Sequence, residues 1–238
     1  MFKARFRVLP IAIVAIVFAS VLASPAQAAA TKYPLTVKFG GYTTKIAKKP
    51  TKIISLSPSA TEIFFAIGAK SQILAVDNLS NYPAGTPTSE ISAFEPNVEA
   101  ILAKKPDLVL LSIDSTKAPQ IRNALVKLGI PVLMEKAPAT LNDVYAENTL
   151  LGRVTDRADG AAKLNASMAK SIKDVLAKAK KSSKIRIFHE LDDTYYSVTS
   201  NTFIGKVYKD FGAVNIADAA SGADSSGYPQ LSAEYLLK

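Results

Sequence analysis

The segment from Asp156 to Lys181 constrains this chain more than any other stretch. Its apolar positions Ala162, Leu164, Met168, Ile172, Val175, Leu176 and Ala179 recur mostly at spacings of three and four, the period of a helix with one apolar face. At about 1.5 Å per residue such a helix reaches about 40 Å, more than one layer of a small domain needs. Strand-and-helix units precede it, and the same alternation resumes after Lys184. The expectation is an α/β chain of two Rossmann-like lobes joined by one long backbone helix, an architecture suited to holding something between the lobes.

At the amino end, Lys3, Arg5 and Arg7 stand before an apolar run over residues 9–23, and Ala26-Gln27-Ala28 supplies a small-x-small end. This is the pattern of a secretory signal peptide over residues 1–28, cleaved after Ala28. The apolar run falls short of the roughly 20 residues of a membrane-spanning helix. The sequence has no cysteine, which excludes disulfides, thiolate metal sites, thiol nucleophiles and the lipid attachment of a lipoprotein leader. The expected location is therefore the periplasm, without a lipid anchor. Removing the leader lowers the formal charge of +9 by three. The remaining lysines are interleaved with acids rather than with aromatics, the pattern of a solvated surface and not of a nucleic-acid stripe.

Residues 29–49 read as an N-terminal arm, with alternation from Tyr33 to Phe39 and Gly40-Gly41 marking a hairpin. Residues 50–152 make the first lobe. A strand at 52–56 runs into a helix capped by Ser59, with Glu62 as reciprocal capping-box partner and Gly68 as its end. A strand at 73–76 leads to a loop at 77–83. Asn97 caps a helix over 98–104, Pro106 breaks it, and 107–111 is apolar at nearly every position, as in a strand buried on both faces. A helix over 116–128 ends at Gly129, a strand follows at 131–134, and a helix over 141–151 ends at Gly152. The linking helix is assigned to 153–183. Right-handed crossovers place the loops at 56–59, 77–83, 93–97 and 112–116 along one rim of a parallel sheet.

The second lobe, 184–238, begins with strands at 184–189 and 195–199, followed by a helix over 201–211 that Gly212 stops. An extended piece at 215–217, a small-residue loop at 219–227 and a helix capped by Ser232 complete it. Pro96-Asn97-Val98-Glu99 and Leu231-Ser232-Ala233-Glu234 occupy matching places, but the first leads into a buried strand and the second runs to Lys238. The second lobe is accordingly expected to be incomplete at its C-terminus, leaving backbone groups unpaired and apolar faces uncovered.

Serine hydrolysis needs a nucleophile, a base and an orienting acid, and the only histidine is His189, beside Glu190, Asp192 and Asp193. A hydrogen-bonded structural role and a ligand contact both stay open for it. One histidine excludes a multi-histidine metal centre, though not an oxygen-rich site, and no glycine-rich phosphate loop is present. The expectation is no enzyme. Aromatics instead fall in the rim loops, Tyr82 and Phe94 in the first lobe and Tyr195, Tyr196 and Tyr228 in the second, while Phe203 in its helix reads as core. Flat rings with few charges suit a large, partly apolar ligand. Glu99 and Glu234 are either ordinary first-turn acids or acidic knobs, one per lobe, for a basic partner.

The run Ile-Ile-Ser-Leu-Ser-Pro-Ser-Ala-Thr-Glu-Ile at 53–63, Ser80-Asn81-Tyr82-Pro83, the stretch 95–102 and Lys105-Pro106-Asp107-Leu108-Val109 resemble the helical-backbone substrate-binding proteins of ABC importers for vitamin B12, iron–siderophore complexes and haem. Thr202-Phe203-Ile204-Gly205 and the stretch 228–234 extend the resemblance into the second lobe. It implies a monomeric periplasmic protein that captures a ligand between its lobes and delivers it to a membrane permease and its ATPase, with the long helix limiting hinge opening. Tyr82 and Phe94 match positions that line a cobalamin-type cleft, with Tyr196, Ser200, Asn201 and Tyr228 on the opposite side. Glu99 and Glu234 match acids presented to arginines of two permease subunits. No resident cofactor is implied. The favoured cargo is a cobalt corrinoid, with a ferric siderophore or haem as the alternative within the family and a truncated, non-binding remnant as the alternative outside it.

Overall fold

The computed structural model describes residues 29–179, 185–220 and 226–237. The leader assigned to 1–28 and the start of the second lobe at Lys184 lie outside the described residues, as does most of the small-residue loop at 219–227. Among the described residues, no helix is long and apolar enough to cross a membrane.

The N-terminal arm is a hairpin of β1 (Leu35–Phe39) and β2 (Tyr42–Ile46). Its two-residue turn, Gly40-Gly41, has φ of +55° and +85°, both in the left-handed region that a type I′ turn requires. Leu35, Val37 and Ile46 are buried in the core beneath it, and the Thr44 hydroxyl donates to the Val132 carbonyl at 2.6 Å.

Four parallel strands form the first lobe: β3 (Ile53–Leu56), β4 (Ile73–Val76), β5 (Leu108–Ser112) and β6 (Val132–Glu135), in the order β4-β3-β5-β6. Alternate residues of β5 and β6 enter opposite cores. Ile53, Leu108, Leu110 and Leu133 pack with Ala60 and Phe64 of α1 (Pro58–Ala66), Leu151 and Val154 of α4 (Leu141–Val154) and Ala161 of α5 (Ala158–Lys178). Ile54, Leu56, Val109, Leu111, Val132 and Met134 pack with Ile101 of α2 (Val98–Ala103) and with Ala118, Ile121 and Leu125 of α3 (Ala118–Lys127). The sheet is therefore covered on both faces, as its apolar strands demand.

Three local expectations need correction. Ser57, not Ser59, caps α1, accepting from the amide of Ala60. Pro58 at the first helical position starts the helix two residues earlier because its fixed φ suits that place and it has no N–H to satisfy. Gly152 does not end α4, which continues to Val154; a Cβ there would lie 2.5 Å from the Cβ of Ala161, so the glycine is used for close helix approach. The linking helix starts at Ala158 rather than 153 or 156, after a turn in which Asp156 has φ +57°. Its 21 residues span about 30 Å. Ala161 is its buried residue, Leu164, Met168 and Ile172 are half-buried, and Ala162 and Val175 are exposed.

The second lobe holds β7 (Arg186–Ile187) and β8 (Val214–Asn215), paired in parallel, with α6 (Phe203–Asp210), α7 (Ala217–Ala220) and α8 (Ala233–Leu236). The strand expected at 184–189 is thus reduced to two residues, since β8 pairs with no more of it. The strand expected at 195–199 is an extended segment with a single bridge, Tyr196 to Gln230, flanked by amide bonds from Ser197 to Pro229 and from Thr199 to Gly227. Pro229, which has no N–H, prevents a full ladder. The helix expected over 201–211 starts at Phe203, capped by Thr202. Lys206 of α6 reaches the first lobe, donating to the Ala139 carbonyl at 3.1 Å.

Candidate functional site

Tyr82 owes its place to a buried polar chain. Thr61 of α1 donates to Ser55 Oγ of β3 at 2.9 Å and lies 3.1 Å from Ser80 Oγ, which donates to Asp77 Oδ2 at 2.8 Å. Asp77 Oδ1 accepts the amides of Leu79 and Ser80. Strand, helix and loop are thereby locked, and Tyr82, at the loop's far end, is 63% exposed. Asn78 couples this loop to the next: its amide donates to the Ile91 carbonyl and its Oδ1 accepts from Ala93. Phe94 follows directly, 61% exposed, with its carbonyl held by Ser115 Oγ at 2.7 Å. Both aromatic loops expected at the rim are present, and both rings are offered to solvent.

A cavity of about 590 Å³ opens beside Tyr82, the size range of small-molecule sites. Its apolar walls include Ile63, Phe65, Pro83, Val144, Leu164 and Met168; its polar members are Ser59, Glu62, Glu147 and Asn148. The walls thus come from α1, α4 and α5 with Tyr82, Pro83 and Pro138 of the loops, and not from the second lobe. Phe94, Tyr196, Ser200, Asn201 and Tyr228 stand outside it. Tyr196 and Tyr228 are nonetheless exposed rings on the two segments bridged at Tyr196 and Gln230. The Ser200 amide donates to Asp218 Oδ1 at 2.7 Å, and Asn201 is exposed with its amide on Thr199 Oγ1 at 3.4 Å.

Sequence reasoning missed a buried carboxyl at this cavity, Glu147, and a second beside it, Glu135. Glu135 closes β6 and Glu147 lies on α4; each is under a tenth exposed. Ser59 Oγ donates to Glu135 Oε1 at 2.6 Å, which is what the supposed capping serine does. Burial first, and then the neighbouring Glu135 carboxylate, push the Glu147 carboxyl up to about 8. The signal was available in α4: Val144, Glu147, Asn148, Leu151 and Val154 follow the helical spacing of an inward face, so two polar residues sit where core residues belong.

His189 is half-buried, with Nδ1 3.0 Å from the Tyr208 hydroxyl and the rings 5.7 Å apart. Among the described residues, no group of three or more histidine, aspartate or glutamate side chains is placed to hold a metal ion. Glu99 and Glu234 occupy equivalent positions, each the second residue of a short helix and each exposed. Asn97 caps the first helix by accepting from Ala100 at 3.1 Å, and Ser232 caps the second by accepting from Tyr235 at 3.2 Å.

Residues 53–238 match the family described as periplasmic binding protein. An uncharacterised ABC transporter substrate-binding lipoprotein of Bacillus subtilis is 31% identical over 204 residues, 81% of this chain and 62% of the relative. A protein of Halobacterium salinarum named cobalamin-binding protein is 30% identical over 227 residues, 90% of this chain and 59% of the relative. The chain thus spans about three-fifths of the length of each. The crystal structure of a periplasmic vitamin B12 binding protein of Vibrio cholerae superposes with a TM-score of 0.63 at 26% identity, covering 80% of this chain and 74% of that one. With the doubly covered parallel sheet, the long helix leading to a second α/β lobe and a family match across most of its length, this chain belongs to the periplasmic binding protein family.

Proposed function

We propose that the chain is the solute-capturing component of an ABC importer and that its cargo is a corrinoid. The observation that carries this reading is the pair of coupled rim loops presenting Tyr82 and Phe94 as exposed rings, a flat aromatic surface suited to a broad, partly apolar ligand. The likeness to a cobalamin-binding relative along 90% of the chain supports it. On this reading Tyr196, Ser200, Asn201 and Tyr228 contact the ligand from the second lobe. Glu99 and Glu234, at matched helix starts, meet basic residues of the permease. Export through the leader at 1–28 into the periplasm belongs to the same reading.

Isothermal titration of residues 29–238 with cyanocobalamin, haemin and a ferric hydroxamate tests the cargo. Saturable one-to-one binding of cyanocobalamin, weakened about tenfold or more by Tyr82→Ala and by Phe94→Ala, is the expected result. Tighter binding of haemin or of the ferric hydroxamate would move the assignment to that class. Absence of heat from all three, with circular dichroism of a folded chain, would favour the non-binding remnant.

A further inference from the structure

The cavity beside Tyr82 carries a chemistry that a corrinoid cleft does not call for. Two of its lining residues hold buried oxygens without a hydrogen-bond partner: Glu147 Oε1 and Asn148 Oδ1. Asn148 is 1% exposed and Glu147 6%. Asn148 is fixed by its own donor, with Nδ2 giving a hydrogen bond to Asn165 Oδ1 at 2.8 Å, so its oxygen cannot exchange places with its nitrogen without losing that bond. Asn148 Oδ1 is an acceptor, and Glu147 Oε1 is one in the ionised carboxylate; a buried acceptor left unpaired costs free energy that a donor would recover. The Glu135 carboxylate stands behind them, already accepting from Ser59. Glu62 adds a further acid to the lining. The apolar walls of the cavity include Ile63, Phe65, Leu164 and Met168.

We propose that this cavity is a binding site for a small organic ammonium ion with an apolar body, its N–H groups donating to Glu147 Oε1 and Asn148 Oδ1. An alkylammonium matches each part. Its head has donors and no acceptors, its charge answers the carboxyl pair, and its hydrocarbon fills the apolar walls. A carboxylate ligand would face the Asn148 acceptor and bring a further acid beside Glu147 and Glu135. Binding at neutral pH takes the proton from the Glu147 carboxyl and releases it to solvent, while the ammonium keeps its own protons and the new ion pair forms with the Glu147 carboxylate. The charged groups around Glu147 are Glu135 at the end of β6, Glu62 on α1, and Asp143 on α4. Lys38 of β1 and Lys136 after β6 line, with Asp143 and Glu147, a neighbouring depression. Both ion pairs among the described residues lie elsewhere, Lys49 with Asp156 and Lys170 with Asp174. The proposal does not rest on the corrinoid reading, since it is argued from the orphaned oxygens of α4; of the residues assigned to the corrinoid, Tyr82 alone lines this cavity.

The test is titration of the chain with hexylammonium, hexan-1-ol and hexanoate at pH 7, each in two buffers of different ionisation enthalpy. Hexylammonium is expected to bind about tenfold or more tighter than hexan-1-ol, with release of close to one proton, and hexanoate more weakly than either. Glu147→Gln should abolish the proton release and remove most of the amine's preference over the alcohol. Leu164→Trp, which fills the cavity, should remove binding of both. The proposal is overturned if hexan-1-ol binds as tightly as hexylammonium to the unaltered chain. It is equally overturned if no saturable amine binding occurs, or if Glu147→Gln leaves amine affinity and proton release intact. Titration of hexylammonium on the Phe94→Ala chain keeps the two readings apart, since Phe94 lies outside the cavity: amine binding retained there while cyanocobalamin is weakened separates the two sites, and cyanocobalamin binding lost everywhere with the amine retained removes only the corrinoid reading.

Discussion

Gly152 of α4 and Ala161 of α5 meet closely: a Cβ on the glycine would stand 2.5 Å from the alanine Cβ, with the Arg157 carbonyl at 3.1 Å. Neither neighbour can yield without moving a helix. Gly152→Ala should therefore destabilise the chain by about 1–2 kcal/mol, the overpacking cost outweighing the gain of about 1 kcal/mol in helix propensity. Urea unfolding measures it. Adding Ala161→Gly should restore much of the loss, and no recovery in the double variant would show that the strain lies elsewhere.

Glu147 gives a pH dependence of defined sign. Its carboxyl is raised by burial and by Glu135 to about 8 in the folded chain, from an ordinary 4.5. Between those values the folded state holds a proton that the unfolded state has lost. Stability attributable to this group is thus full below pH 4.5 and declines as pH rises towards 8, by at most about 1.4 kcal/mol per unit. Thermal melts from pH 5 to 8 should fall more steeply for the unaltered chain than for Glu147→Gln. Parallel slopes would remove the carboxyl pair from the explanation.

Asp156 fastens the N-terminal arm to the turn between α4 and α5, accepting the Thr31 amide at 2.8 Å and the Lys49 ammonium at 2.9 Å. The Thr31 hydrogen bond, then the one from Lys49, hold its carboxyl below the ordinary carboxylate range. This anchoring is present above that range and lost as pH falls through the lowered value. Asp156→Ala should cost about 1–2 kcal/mol, more than Asp156→Asn, which keeps an acceptor for Thr31 and tolerates the left-handed backbone. Amide hydrogen exchange over residues 29–34 should quicken in the alanine variant, and unchanged protection there would mean that Tyr33, whose hydroxyl donates to the Val154 carbonyl at 2.8 Å, suffices alone.

Asp77 tests whether the loop behind Tyr82 is preset. It is buried and holds Ser80 by both its carboxylate oxygens. Asp77→Ala leaves the Ser80 and Leu79 donors without their acceptor, at a cost of about 2 kcal/mol, and should weaken cyanocobalamin binding although Asp77 lies beneath the loop. Stability lost with affinity retained would mean that Tyr82 finds its position from the ligand.

Much of the first lobe was legible in the sequence because its signals are local. Asn97 and Pro106 bracket α2, Gly40-Gly41 dictates the hairpin turn, and strands apolar on both faces announce a covered sheet. The misplacements occurred where two local signals competed. Ser57 and Ser59 can each cap a helix, and Pro58 between them decides for the first. Gly152 has the look of a terminator, but only the partner helix reveals that the missing Cβ is needed by Ala161. Residues 195–199 have strand composition, yet a strand needs a partner, and Pro229 on the facing segment denies it a continuous one. Tyr82 and Phe94 were identifiable as rim residues because turn residues surround them. The carboxyl pair was not, because Glu135 and Glu147 belong to a strand end and a helix face whose approach depends on the tertiary fold.

The hydrogen bond from Thr44 to Val132 spans 88 residues of chain. It joins the first described strand pair to the last strand of the sheet, so the hairpin has no docking partner until every crossover between them has been traced. A chain threaded outward from its amino end therefore exposes the hairpin first and seats it last. Contacts of such sequence separation slow folding, which places closure of the first lobe among the late events in its maturation.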